Sequence, residues 1–194
     1  MKALLVGLNA KFYHMNLAIR NIKKYCESFN IELFEATIND DMDFVLKEIL
    51  KREPNIVEFS CYIWNIEQVL YLCEYIKKIN KKIIILLGGP EASYDAVNLL
   101  KNKYVDYVVL NEGEKTFKDL LEKLNTDKNI DSINGIAYRE KDERIIMKPE
   151  KDYVNLDDIP FPYDGEDFTN KLIYYETSRG CPFKCSYCLS SLDN

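Results

Sequence analysis

Apolar and polar positions alternate along this chain with two different periods. "KALLVGL" at 2–8 is a short apolar run, and in the following "NLAIRNIKKYCESF" the residues Ala18, Ile22, Tyr25, Cys26 and Phe29 recur on one helical face. "IELFEAT" at 31–37 predicts a second strand, and "DMDFVLKEILKRE" a second helix that Pro54 ends. "NIVEFS" at 55–60 predicts a third strand. Its helix runs from about Asn65 to Asn80, with Ile66, Val69, Leu70, Cys73, Ile76 and Ile79 at helical spacing. "KIIILLGG" carries the unbroken β-branched core of a parallel strand buried on both faces. "EASYDAVNLLKN" predicts the next helix, "VDYVVL" at 105–110 a fifth strand, and "EKTFKDLLEKL" a helix that buries Phe117, Leu120, Leu121 and Leu124.

Strand and helix alternating five times predict an α/β fold: a doubly wound, parallel, five-stranded sheet with right-handed crossovers. Five such strands suit the flavodoxin-like order 2-1-3-4-5, whose ligand crevice lies beyond the carboxyl ends of the strands. After Lys128 the pattern changes. "GIAYREKDERIIMKPE" predicts two short strands around a charged turn, "LDDIPFPYDGEDF" a proline-bearing connector, and "KLIYYETS" at 171–178 a new strand. The expected organisation is therefore an α/β domain over 1–128, a hairpin and linker over 129–170, and the beginning of a second domain over 171–194.

Composition narrows the possibilities. With 47% hydrophobic and 30% charged residues, the chain has the make-up of a soluble globular protein. Its net charge of −6 comes from intermixed acids and bases without a basic block, which argues against a nucleic-acid surface. No apolar run reaches the roughly 18 residues of a membrane span, and "MKALLVGLNA" reads as a strand rather than a signal peptide. The expected location is the cytoplasm, where the six cysteines stay reduced.

Three of those cysteines crowd into "CPFKCSYC", as Cys181, Cys185 and Cys188. Thiolates at C-x₃-C-x₂-C spacing on a glycine- and proline-marked loop suit an iron–sulfur cluster. Neither a fourth cysteine nor a histidine stands nearby, since the only histidine is His14. Three ligands leave one iron free to bind something other than protein. A zinc or cluster site completed from afar and a chance group of free thiols are the alternatives.

"CPFKCSYC" resembles the signature of the radical S-adenosylmethionine enzymes, C-x₃-C-x-aromatic-C, with Tyr187 as the aromatic and "RG" leading in. The resemblance implies that Cys181, Cys185 and Cys188 hold a [4Fe–4S] cluster. The amino and carboxylate groups of S-adenosylmethionine would chelate the open iron, and Tyr187 would lie by the adenine. One electron would then split the sulfonium into methionine and a 5′-deoxyadenosyl radical. That family's barrel needs further strands and a glycine-rich segment, so the expectation is an N-terminal piece of a longer enzyme, unable to do radical chemistry alone.

Three strand ends carry residues suited to a ligand: "GGPEASYD" after strand four, "LNEGEKTF" after strand five and "SCYIWN" after strand three. Taken singly they are ordinary turn and capping residues. Together, upstream of the cysteine loop, they resemble the cobalamin-binding domains of B12-dependent radical enzymes, which carry "GGP" after strand four and "GEGE" after strand five. Here Asn111 replaces the first glycine of the second motif, a mild departure because asparagine tolerates left-handed backbone. The resemblance implies a corrin across the carboxyl edge of the sheet, with its nucleotide tail between sheet and helices. Gly88, Gly89, Pro90, Asn111, Glu112 and Gly113 would line the tail region or corrin edge. Asn9, Tyr13, His14, Asn16, Ser60, Tyr62 and Trp64 would approach the corrin.

The strand-one loop lacks the D-x-H-x-x-G pattern of the B12 mutases, with Leu17 where the glycine would stand. His14 is a corrin contact, a cobalt ligand or a solvated loop residue. Receiver domains need an aspartate after strand three, and "VEFSC" has none; no G-x-G-x-x-G or G-K-S/T loop follows any strand. Cys26 and Cys73 read as core thiols, and Glu112 and Glu114 as helix-start carboxylates. The expected function is cobalamin binding within a radical S-adenosylmethionine enzyme, with possible methyl transfer from methylcobalamin. The alternative is a cofactor-binding or interaction module with a degenerate corrinoid pocket. The expected partners are these cofactors and the C-terminal barrel of the same polypeptide.

Overall fold

The computed structural model describes residues 1–126, 129–149, 154–163, 165, 168–183 and 185–188. Strands β1 (Lys2–Asn9), β2 (Asn30–Thr37), β3 (Ile56–Ser60), β4 (Ile84–Gly88) and β5 (Tyr107–Val109) lie parallel in the order β2-β1-β3-β4-β5. The expected five-stranded doubly wound sheet is present. Between the strands run α1 (Leu17–Tyr25), α2 (Met42–Lys51), α3 (Ile66–Ile79), α4 (Pro90–Tyr94) and α5 (Ala96–Lys101), with α6 (Glu114–Asn125) after β5.

The two faces of the sheet bury different side chains because successive strand residues point to opposite sides. Val57, Phe59, Ile85 and Leu87 pack with Val45 of α2, Val69 and Ile76 of α3 and Leu99 of α5. Ala3, Leu5, Ile56 and Leu86 pack with Ile19 and Ile22 of α1 and Phe117 and Leu120 of α6. "IIILL" at 83–87 is apolar throughout because it serves both layers. Among the described residues, no helix is long and apolar enough to cross a membrane.

Four expectations change. The hairpin after residue 128 joins the main sheet: β6 (Ile136–Arg139) pairs antiparallel with β5, and β7 (Ile145–Lys148) pairs with β6, making seven strands. The edge of β5 offers unpaired backbone groups, and pairing covers them. The boundary expected after Lys128 falls on residues outside those described. The helix expected over "EASYDAVNLLKN" divides at Asp95, where φ −110° and ψ 26° leave the helical region. On α1 the buried stripe is Ile19 and Ile22, continued by Cys26, whereas Ala18 faces solvent. Finally, 171–178 is not a ladder strand; among the described residues it makes one parallel bridge, Leu172 with His14. The Tyr174 backbone instead meets Tyr163, whose hydroxyl donates to the Tyr174 carbonyl at 2.6 Å.

Candidate functional site

The carboxyl ends of β3, β4 and β5 open onto one cleft of about 960 Å³. Its walls include Leu17, Ala18 and Asn21 of α1, Tyr62 after β3, and the turns after β4 and β5. Across from them stand residues 154–156 and Glu176, Ser178, Arg179 and Gly180. A second hollow of about 510 Å³ lies at the opposite end of β5, among Asp106, Asp131 and Arg139, away from every candidate residue.

The turn after β4 requires glycine. Gly89 has φ +93°, and a Cβ there would stand 2.7 Å from the Cys61 carbonyl oxygen. Only hydrogen fits, so the backbone itself forms the wall, with Pro90 opening α4. Gly88 is packed differently: a Cβ on it would lie 3.1 Å from Glu58 Oε1. After β5, Asn111 takes the left-handed conformation at φ 56°, and its N–H donates to Ser93 Oγ at 2.9 Å. Gly113 approaches Ile22 of α1, leaving 3.1 Å for a Cβ. Gly89, Pro90, Asn111, Glu112, Gly113 and Tyr62 thus line one cleft.

Tyr62 stacks flat on Trp64, with centroids 4.4 Å apart and planes 7° from parallel, and Trp64 remains 45% exposed. Burial pushes the Tyr62 phenol above its ordinary value. Ser60 is buried beside Tyr62, and its hydroxyl makes no well-formed hydrogen bond. One register row aligns Gly7, Ser60 and Gly88 across β1, β3 and β4. All three are buried, and a Cβ on Gly7 would stand 3.1 Å from Asn16 and 3.3 Å from Ile19.

The turn after β1 is held by residues that composition did not single out. Glu35 of β2 accepts from Asn9 Nδ2 at 2.8 Å and from the Asn16 N–H at 2.7 Å. Arg20 reaches the other Glu35 oxygen at 2.6 Å. Asn16 caps α1 by accepting from the Ile19 N–H at 3.2 Å. Asn9 and Asn16 therefore use their side chains to shape the turn. Tyr13 packs against His14, whose Nδ1 pairs with the Tyr174 hydroxyl.

Asn65 is fully buried and was anticipated only as a helix start. Its Nδ2 donates to the Leu8 and Ser60 carbonyls, both at 3.0 Å, and its Oδ1 accepts from the Tyr62 N–H at 2.8 Å. It ties two strand ends to the aromatic turn. Glu58, 3% exposed in mid-β3, has an Oε2 without a hydrogen-bond partner, and burial pushes its carboxyl up to about 8.

The cysteine segment meets the cleft through Arg179. Its guanidinium forks onto Glu114, at 3.1 Å and 2.5 Å, and reaches Glu112 at 3.3 Å and Glu176 at 3.0 Å. Burial alone would lower the guanidinium's proton affinity, but Glu114 and Glu176 more than offset it and hold it above its ordinary value. Cys181 and Cys185 are half-buried, Cys188 is exposed, and the Cys188 N–H donates to the Cys185 carbonyl at 3.2 Å. Tyr187 is 91% exposed. Among the described residues, the three thiols are not drawn into a group of metal-holding geometry.

A family profile described as the B12 binding domain matches residues 3–121. The chain belongs to that family. It is related to cobalamin-dependent radical SAM methyltransferases, being 31% identical over 149 residues to TokK of Streptomyces tokunonensis, across 70% of this chain and 22% of that protein. It is also 31% identical over 170 residues to the hopanoid C-3 methylase of Methylococcus capsulatus, across 82% and 32%. The chain thus spans less than two fifths of these relatives. Its fold matches the cobalamin-dependent S-adenosylmethionine radical enzyme OxsB, solved with aqua-cobalamin and S-adenosylmethionine bound, at TM-score 0.84 and 20% identity over 96% of this chain and 28% of that one. TsrM of Kitasatospora setae, a radical S-adenosylmethionine methyltransferase, matches at TM-score 0.62 and 18% identity over 76% and 30%. At these identities the likeness is one of fold.

Proposed function

We propose that this chain is the cobalamin-binding region of a radical S-adenosylmethionine enzyme, a methyltransferase by its nearest chemistry. The observation that carries the reading is the cleft itself. It sits where a doubly wound sheet takes its ligand, Gly89 and Gly113 strip its walls of side chains, and the chain leading into Cys181 closes one side. Tyr62 and the adjoining Trp64 supply an aromatic rim.

Cys181, Cys185 and Cys188 would hold the [4Fe–4S] cluster, and Tyr187 would stand by bound S-adenosylmethionine. When bound, the cluster supplies one electron for cleaving the sulfonium and methylcobalamin a transferable methyl group. The chain's own residues orient and enclose these groups. Glu112 and Arg179 line the wall shared by cleft and cysteine segment.

The experiment is retention of hydroxocobalamin through desalting, followed by its visible spectrum. Stoichiometric retention is expected, and a colourless protein overturns the cobalamin reading. Anaerobic reconstitution with iron and sulfide should add a charge-transfer band that Cys185→Ser abolishes. Corrinoid retained without iron uptake would reduce the assignment to a cofactor-binding module.

A further inference from the structure

The segment 171–180 crosses the carboxyl edge of the sheet and is fastened at two places. Near its start, the Leu172 N–H donates to the Tyr13 carbonyl at 2.8 Å, and the Tyr174 hydroxyl meets His14. Near its end, Arg179 grips Glu114, the first residue of α6. The two fastenings differ in kind. The first is built from single hydrogen bonds, including that of the Tyr163 hydroxyl to the Tyr174 carbonyl at 2.6 Å. The second is a two-pronged ion pair whose side chains are 16% and 5% exposed.

A forked guanidinium–carboxylate pair fixes orientation as well as distance. Glu112 and Glu176 flank the same guanidinium, at 3.3 Å and 3.0 Å, so it is confined on three sides. Glu112 is itself held, accepting from the Val154 N–H at 3.2 Å. Gly180, next along the chain, takes φ +75° and has open space where a Cβ would stand. Cys181 follows directly.

We infer that Arg179 is a positioning residue: its pairing with Glu114 sets the distance and orientation of the cysteine loop relative to the carboxyl-edge cleft. What the two sites hold rests on the function proposed above; the placement is a property of the chain and needs neither cofactor. Removing Arg179 leaves the shielded Glu114 carboxylate without this partner, and removing Glu114 leaves the guanidinium on Glu112 and Glu176 without the fork. The cysteine segment would then lose its ion-pair fastening to α6 and keep the hydrogen bonds at 171–174.

The test is energy transfer from Trp64, the sole tryptophan, to a thiol dye on Cys188 in a Cys181→Ser, Cys185→Ser background. Cys26, Cys61 and Cys73 are buried and escape labelling in the folded protein. The donor decay should report one narrow distance distribution. Arg179→Ala and Glu114→Gln should each broaden it and lower mean transfer, and combining them should add little. Arg179→Lys should recover part of the transfer, since it restores charge without the fork. An unchanged narrow distribution in Glu114→Gln, with helical circular dichroism retained, overturns the inference even if the alanine variant fails to fold. Hydroxocobalamin retention on the same samples separates the two claims: a protein that binds no corrinoid yet shows the Arg179-dependent distance loses only the cofactor reading.

Discussion

Among the described carboxyl groups, Glu58 is the one whose surroundings most oppose its charge. It is 3% exposed, its Oε2 has no hydrogen-bond partner, and burial raises it from 4.5 to about 8. The folded protein therefore keeps a proton that the unfolded chain releases as pH climbs through this window. Folded stability then falls by about 1.4 kcal/mol per pH unit, approaching about 5 kcal/mol above pH 8 as an order-of-magnitude ceiling. Glu58→Gln has nearly the shape of the protonated side chain and does not titrate. Urea unfolding of both proteins from pH 5 to pH 9 isolates the effect, because every other group titrates in both. The two should be similar near pH 5. The glutamine variant should then gain steadily to about pH 8, with the difference levelling beyond it. Parallel stability curves over the whole range would refute the reasoning, since they would mean that Glu58 ionises in the fold as freely as in water.

Gly89→Ala should cost about 1–3 kcal/mol from backbone strain alone, plus displacement of the Cys61 carbonyl, 2.7 Å from the new Cβ. The same substitution should lower hydroxocobalamin retention, and full retention with unchanged melting would count against the close-approach argument. Asn65→Ala strips partners from the Leu8 and Ser60 carbonyls and the Tyr62 N–H, a loss of about 2–4 kcal/mol by thermal melting. It should also weaken the near-ultraviolet circular dichroism of the Tyr62–Trp64 stack, and an unaltered aromatic signal would show that Asn65 does not hold that turn.

The order of the parallel strands was legible because each strand and helix announces itself locally. "IIILL" at 83–87 is apolar at every position because Ile85 and Leu87 serve one layer and Leu86 the other. Asn65 could be recognised as a helix start from its place before an apolar-periodic run. Its three contacts to strand ends could not, because they depend on β1 and β3 finishing side by side. The α1 stripe was shifted by one position at Ala18. A small residue satisfies a hydrophobic pattern whether it faces the core or an open cleft, and only the neighbours decide.

The sequence by itself determined the α/β class, the glycine turns at the carboxyl edge and the thiol spacing that suits a cluster, since each follows from residue type and short-range periodicity. Tertiary structure alone decided that the late hairpin extends the sheet, that Glu35 organises the first turn, and that Arg179 reaches Glu114 across 65 positions. Hydrophobic periodicity reports which side chains avoid water. A charge pair between distant segments leaves no periodic trace, and it exists only because the topology brings the two ends to one edge.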